Sequence, residues 1–126
     1  MAYNTPKEIV VISSTNIDLK STGNTVIFTP HTKFAVIQIN AFGVNLTGTI
    51  GAPSANFGWT AAAYSDLTSG FASFPLVTNN INGIGIPSIG EIPAIPAATA
   101  FRINITAADA TATNNTQRID ILGYYL

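Results

Sequence analysis

Asn56, Trp59, Tyr64 and Asp66 fall within eleven residues, "NFGWTAAAYSD", and are of the types that bind a carbohydrate. An aromatic ring stacks on the apolar face of a sugar, while an amide and a carboxylate take its hydroxyls. The competing reading is structural: Trp59 fills the core or an interface, as large aromatics usually do. Other groups offer less. His31 is the single histidine, follows Pro30 in a turn, and reads as a solvated loop residue. The six carboxylates, Glu8, Asp18, Asp66, Glu91, Asp109 and Asp120, stand singly, so neither a hydrolytic pair nor a calcium loop is indicated. The serines lack nucleophile-elbow spacing. "GTIGAPSANFG" has neither the spacing nor the lysine of a phosphate loop. With no cysteine there is no thiolate ligand. The expectation is a protein that is not an enzyme and needs no metal or cofactor.

A second stretch poses a packing question. Residues 82–98, "NGIGIPSIGEIPAIPAA", hold five isoleucines and three prolines around one charge, Glu91. Pro87, Pro93 and Pro96 lack the N–H that a helix or central strand requires. Isoleucines on such a segment must still leave water, either over their own domain or against another chain. The expectation is an irregular segment at a subunit interface, with Ile84, Ile86, Pro87, Ile89, Ile92, Pro93 and Ile95 as the contact residues. The plainer alternative is a loop capping one end of its own fold.

These residues sit in a chain of 126 residues whose length suits one domain, 1–126, with residues 1–7 as an N-terminal arm. Charged residues make up only 9%, against roughly 25% in an average soluble domain. No charge occurs between Lys33 and Asp66, or between Asp66 and Glu91. A net charge of −1 gives no electrostatic call for nucleic acid or an anionic membrane. A surface poor in charge and rich in Thr, Asn, Ser and Ala suits a chain packed among others, or one that faces sugars. The start, "MAYNTPKEIVVISS", has no basic region before its four-residue apolar run and does not read as a secretory signal.

The elements that must position these residues read as strands. "KFAVIQINAF", "FRINIT" and "RIDILGYY" alternate in period two, with β-branched and aromatic residues favoured. Turn signals separate them: "STGN", "TPHT", "TIGAPSAN" and "TSG". Strands are expected at about 8–13, 16–20, 24–29, 33–42, 44–50, 56–60, 71–77, 99–106 and 117–125, giving an all-β antiparallel sandwich. The three alanines of "WTAAAYSDL" favour one helical turn at most. Residues 107–116 are expected to be the loop of a closing hairpin, which would set Arg102 near Asp120 across it.

Two segments carry a resemblance. "IDLKSTGNTVIFTPHTKFAVIQINAF" resembles a pattern of small bacteriophage virion proteins: a short strand, a T-G turn, an apolar strand ending in Thr-Pro, then a long alternating strand. "ATAFRINITAADATATNNTQRIDILGYYL" is similar to their closing hairpin, and "LTGTIGAPSANFGWTAAAYSDLTSG" to the strand, glycine turn and polar stretch between. The resemblance implies a sandwich of jelly-roll type and the role of a capsid decoration (cement) protein. Such a protein binds between major capsid subunits on the capsid exterior and is commonly a homotrimer. It is made in the host cytoplasm and released by lysis. Its partners would be itself and the major capsid protein, with no nucleic acid and no membrane. The alternative is a carbohydrate-binding or receptor-binding fibre or tail module, using Asn56, Trp59, Tyr64 and Asp66.

Overall fold

A computed structural model describes residues 8–84 and 92–126 of the chain. Among them are ten strands and no helix: β1 (Val10–Ser13), β2 (Ile17–Asp18), β3 (Gly23–Phe28), β4 (Phe34–Gly48), β5 (Ser54–Gly58), β6 (Thr68–Phe71), β7 (Ile81–Ile84), β8 (Ala94–Ile95), β9 (Phe101–Ala107) and β10 (Ala112–Tyr125). They form two antiparallel sheets. The larger runs β1-β10-β4-β7, with β2 added to β10 and β8 to β4; the smaller runs β3-β9-β5-β6. The fold is a β-sandwich.

Alternation in the sequence decides what lies between the sheets. Phe101, Ile103 and Ile105 of β9 face the core from one side; Ile39 of β4 and Ile119 and Ile121 of β10 face it from the other. Each such side chain contributes roughly 1.5–3 kcal/mol when fully buried. Phe34 meets Phe28 edge-on at 5.2 Å and Tyr125 at 5.0 Å, which closes one end of the core with aromatic rings.

Several expectations need correcting. The two runs 33–42 and 44–50 are one strand, β4, in which Gly43 stays paired opposite Gln117. Of 71–77 only Phe71 is in a strand, and Pro75 lies in the loop beyond it. "WTAAAYSDL", by contrast, makes a single turn as expected, closed by Tyr64 N–H donating to Thr60 O at 2.9 Å. The largest correction concerns the chain's end. β9 and β10 are not a hairpin: they belong to opposite sheets, and residues 108–111 carry the chain across the sandwich. Arg102 and Asp120 are therefore not neighbours. Arg102 donates to Asn24 Oδ1 at 2.7 Å, and Asp120 pairs with Arg118 two residues away.

The described parts of the Ile/Pro stretch, 82–84 and 92–98, are also more regular than its prolines imply. Ile84 closes β7 opposite Ile39, and Ile95 in β8 pairs with Phe34; both are buried in the chain's own core. Proline lacks a donor but keeps its acceptor, and Pro93 O receives the N–H of Val36 at 2.9 Å. Ile84 and Ile95 thus have no side chain to offer a partner, contrary to expectation. Ile92 remains 55% exposed, while Ile86, Pro87 and Ile89 lie outside the described residues, as does the arm 1–7.

Candidate functional site

The four residues with sugar-binding chemistry do converge, on the turn that joins β5 to β6. Gly58 ends β5 where a Cβ would stand 2.5 Å from both Asp66 N and Asp66 Oδ2, so its lack of one lets the turn close. Asp66 then accepts the N–H of Trp59 at 2.6 Å, the N–H of Thr60 at 2.7 Å and the Thr60 hydroxyl at 2.7 Å. Burial pushes its carboxyl upward, but the Thr60 hydroxyl and the two N–H groups outweigh this and hold it below the ordinary value. Asn56 supports the turn from beneath: its amide donates to Ala63 O at 3.0 Å and accepts from Gly70 N–H at 2.9 Å. Asn104, from β9, donates to the same Ala63 oxygen at 3.1 Å.

Polar atoms engaged in this way are poorly placed to bind a sugar. Both ends of the Asn56 amide and both oxygens of Asp66 are committed to the turn itself. Trp59 is half-buried and packs against the core, 6.4 Å from Phe101. Tyr64 carries the Arg102 guanidinium 5.5 Å from its ring centre. Asn56 and Asp66 brace a surface turn on which Trp59 and Tyr64 are each partly exposed.

A second polar cluster is invisible in the linear sequence. Asp109, 1% exposed, sits in the β9–β10 connection and gathers five donors. Its Oδ2 accepts Gly51 N–H at 3.0 Å and the Asn115 amide at 2.8 Å. Its Oδ1 accepts Thr111 N–H and Ala112 N–H, both at 3.1 Å, and the Thr111 hydroxyl at 3.3 Å. Burial raises its pKa, but the Asn115 amide and the three backbone N–H groups prevail and lower it to about 2. Asn115 Oδ1 in turn accepts from Gln117, which also donates to Pro75 O at 3.2 Å. The chain of bonds ties three loops and β10 together inside the fold. Gly51 is required here because a Cβ would stand 2.5 Å from Asp109 Oδ1. Sealed from solvent, this carboxylate holds structure and cannot serve as a base.

The remaining groups are dispersed. On the outer face of the larger sheet, Arg118 grips Asp120 through two bonds of 2.8 and 2.9 Å and lies 4.6 Å above the Phe42 ring. Burial opposes ionisation of Asp120, and Arg118 with Ser13 more than restores it. His31 is exposed and stacks on Tyr125 at 4.4 Å. An open groove of about 470 Å³ lies along Asp18, Lys20, Ser21 and Thr113–Thr116. Among the described residues no three His, Cys, Asp or Glu side chains gather as a metal site. No helix among them is long and apolar enough to cross a membrane.

No protein-family model matches the sequence, and no curated protein matches it. A solved structure does: a chain of the "Cyanophage Pam1 capsid asymmetric unit" superposes with a TM-score of 0.65 at 15% identity, over 100% of this chain and 91% of that one. At that identity the likeness is one of fold.

Proposed function

We propose that this protein is a non-catalytic structural component of a phage virion, bound to the capsid. The observation that carries the reading is the end-to-end superposition on a chain from a cyanophage capsid unit, with nothing left over on this side and little on the other. The surface agrees with it. Charge is sparse, and Asp66, Asp109 and Asp120 are each spent on internal bonds, which leaves no convergent acid and base among the described residues.

Within that reading the role proposed is decoration, or cementing, of the shell exterior. A copy seated between major capsid subunits adds contacts that must break before the shell can open, so mass action favours the closed lattice. The protein would be made in the host cytoplasm and act as a homotrimer. Ile86, Pro87, Ile89, Ile92 and Pro93 are the proposed subunit contact, while Ile84 and Ile95 are buried in the chain's own core.

Purified particles test this directly. The expected result is one copy of the protein per lattice position by quantitative mass spectrometry. Particles made without it should release DNA at a lower temperature. Absence from particles, or only a few copies confined to the tail, would overturn the decoration role. Glycan binding by the wild type that Trp59→Ala abolishes would favour the receptor-binding alternative.

A further inference from the structure

Among the described residues β1 is a margin of the larger sheet, with β10 on one side. Ser14 N–H donates to Ile119 O at 2.8 Å, and the unbroken register sets Ile12 against Ile121 and Val10 against Gly123. Even-numbered residues therefore turn their N–H and C=O groups towards β10, and at Ser14 the side-chain hydroxyl accepts the N–H of Ile119 at 2.9 Å. Alternation turns those of Val11 and Ser13 the other way, where no described strand meets them. Edges of this kind are usually guarded by a lysine, a proline or a bulge. Residues 9–14, Ile-Val-Val-Ile-Ser-Ser, contain no such guard. Ile9 and Val11 are 50% and 62% exposed on the outer face, and Val11 lies beside Leu122 of β10.

We propose that β1 is a self-docking edge: two copies of this chain pair their β1 strands antiparallel about a two-fold axis, joining their larger sheets into one. The chemistry of the edge selects a second copy as the occupant. Two-fold pairing sets odd residues against odd, so each outward N–H meets a C=O of the same strand in the other copy. A register centred on Val11 overlaps the strands almost fully. It places Val10 opposite the partner's Ile12 and Ile9 opposite the partner's Ser13. Residues near such an axis face their own kind, which excludes charge, and 9–14 carry none. The charged pair on this face, Arg118 and Asp120, neutralises itself within each copy. Because the strand is short, the contact is weak in dilute solution and strengthens where copies are held side by side.

The purified protein suffices for the test, so the outcome does not depend on the virion reading. The chain has no cysteine, so Val11→Cys introduces a single thiol. Opposed residues of a hydrogen-bonded pair lie about 5.5 Å apart between Cα atoms, within disulfide range. Mild oxidation of concentrated protein should give a linked dimer. The control Leu76→Cys, at a site 63% exposed in the loop between β6 and β7, should not. Val11→Lys sets two ammonium groups face to face and should weaken self-association about tenfold in sedimentation equilibrium. Val11→Pro should do the same by removing only an outward donor. Both variants should keep the wild-type circular dichroism spectrum. The proposal fails if Val11→Cys links no faster than Leu76→Cys, or if folded Val11→Lys and Val11→Pro proteins associate as the wild type does.

Discussion

Asp109 shows how one side chain can organise a region that its sequence neighbours leave shapeless. "AADATATNNT" reads as a loop because its residues are small and polar, yet a carboxylate with five donors converts much of it into β10. Its folded pKa of about 2 lies below the ordinary aspartate value of 3.8, so its stabilisation is complete above the unfolded value and is lost as pH falls through about 2. The size of that contribution is about 2–3 kcal/mol. Asp109→Ala should therefore lower urea stability at pH 7 by about 2–4 kcal/mol, since it also strands the Asn115 amide and buried N–H groups. The variant's stability should fall less between pH 5 and pH 2 than that of the wild type. An equally steep fall in both would place the acid sensitivity elsewhere.

At the scale of elements, periodicity reported faces faithfully and partners poorly. Ile119 and Ile121, or Phe101, Ile103 and Ile105, were legible as buried rows because side chains alternate along any strand. Which sheet each row belongs to was not legible, because a four-residue connection can close a hairpin or cross the core equally well. The pairing of Arg102 with Asp120 failed on that point. The sugar-type residues were found from their types and clustering, but the bonds that absorb Asn56 and Asp66 arise only once the β5–β6 turn closes. In the Ile/Pro stretch a composition rule overstated the case, since it counted missing donors and ignored the acceptors that Pro93 retains. Its two kinds of isoleucine should separate by experiment. Ile84→Ala or Ile95→Ala should cost about 2–5 kcal/mol with no change of mass in solution. Ile92→Asp should leave the melting temperature of the subunit nearly unchanged. A large loss of subunit stability from Ile92→Asp would place that residue in the fold rather than at its surface.

For the whole molecule, 9% charge leaves association to be driven by apolar and backbone contacts rather than by ion pairs. Light scattering should find the wild type trimeric and the Ile86→Asp/Ile92→Asp protein monomeric with an intact β spectrum. A wild type that is monomeric from the outset would remove the trimer from the account. Chelator should leave the melting temperature where it was, since the scattered carboxylates and single histidine offer no ligand set. One further consequence lies in the position of β10, which pairs with β1, β2 and β4 and is the last of the described strands to be made. While the chain is still emerging from a ribosome, the larger sheet lacks its centre, and β1 and β4 have nothing between them. Nascent chains stopped before residue 112 should stay protease-sensitive, and folding should be slow, because the closing contacts join distant parts of the chain.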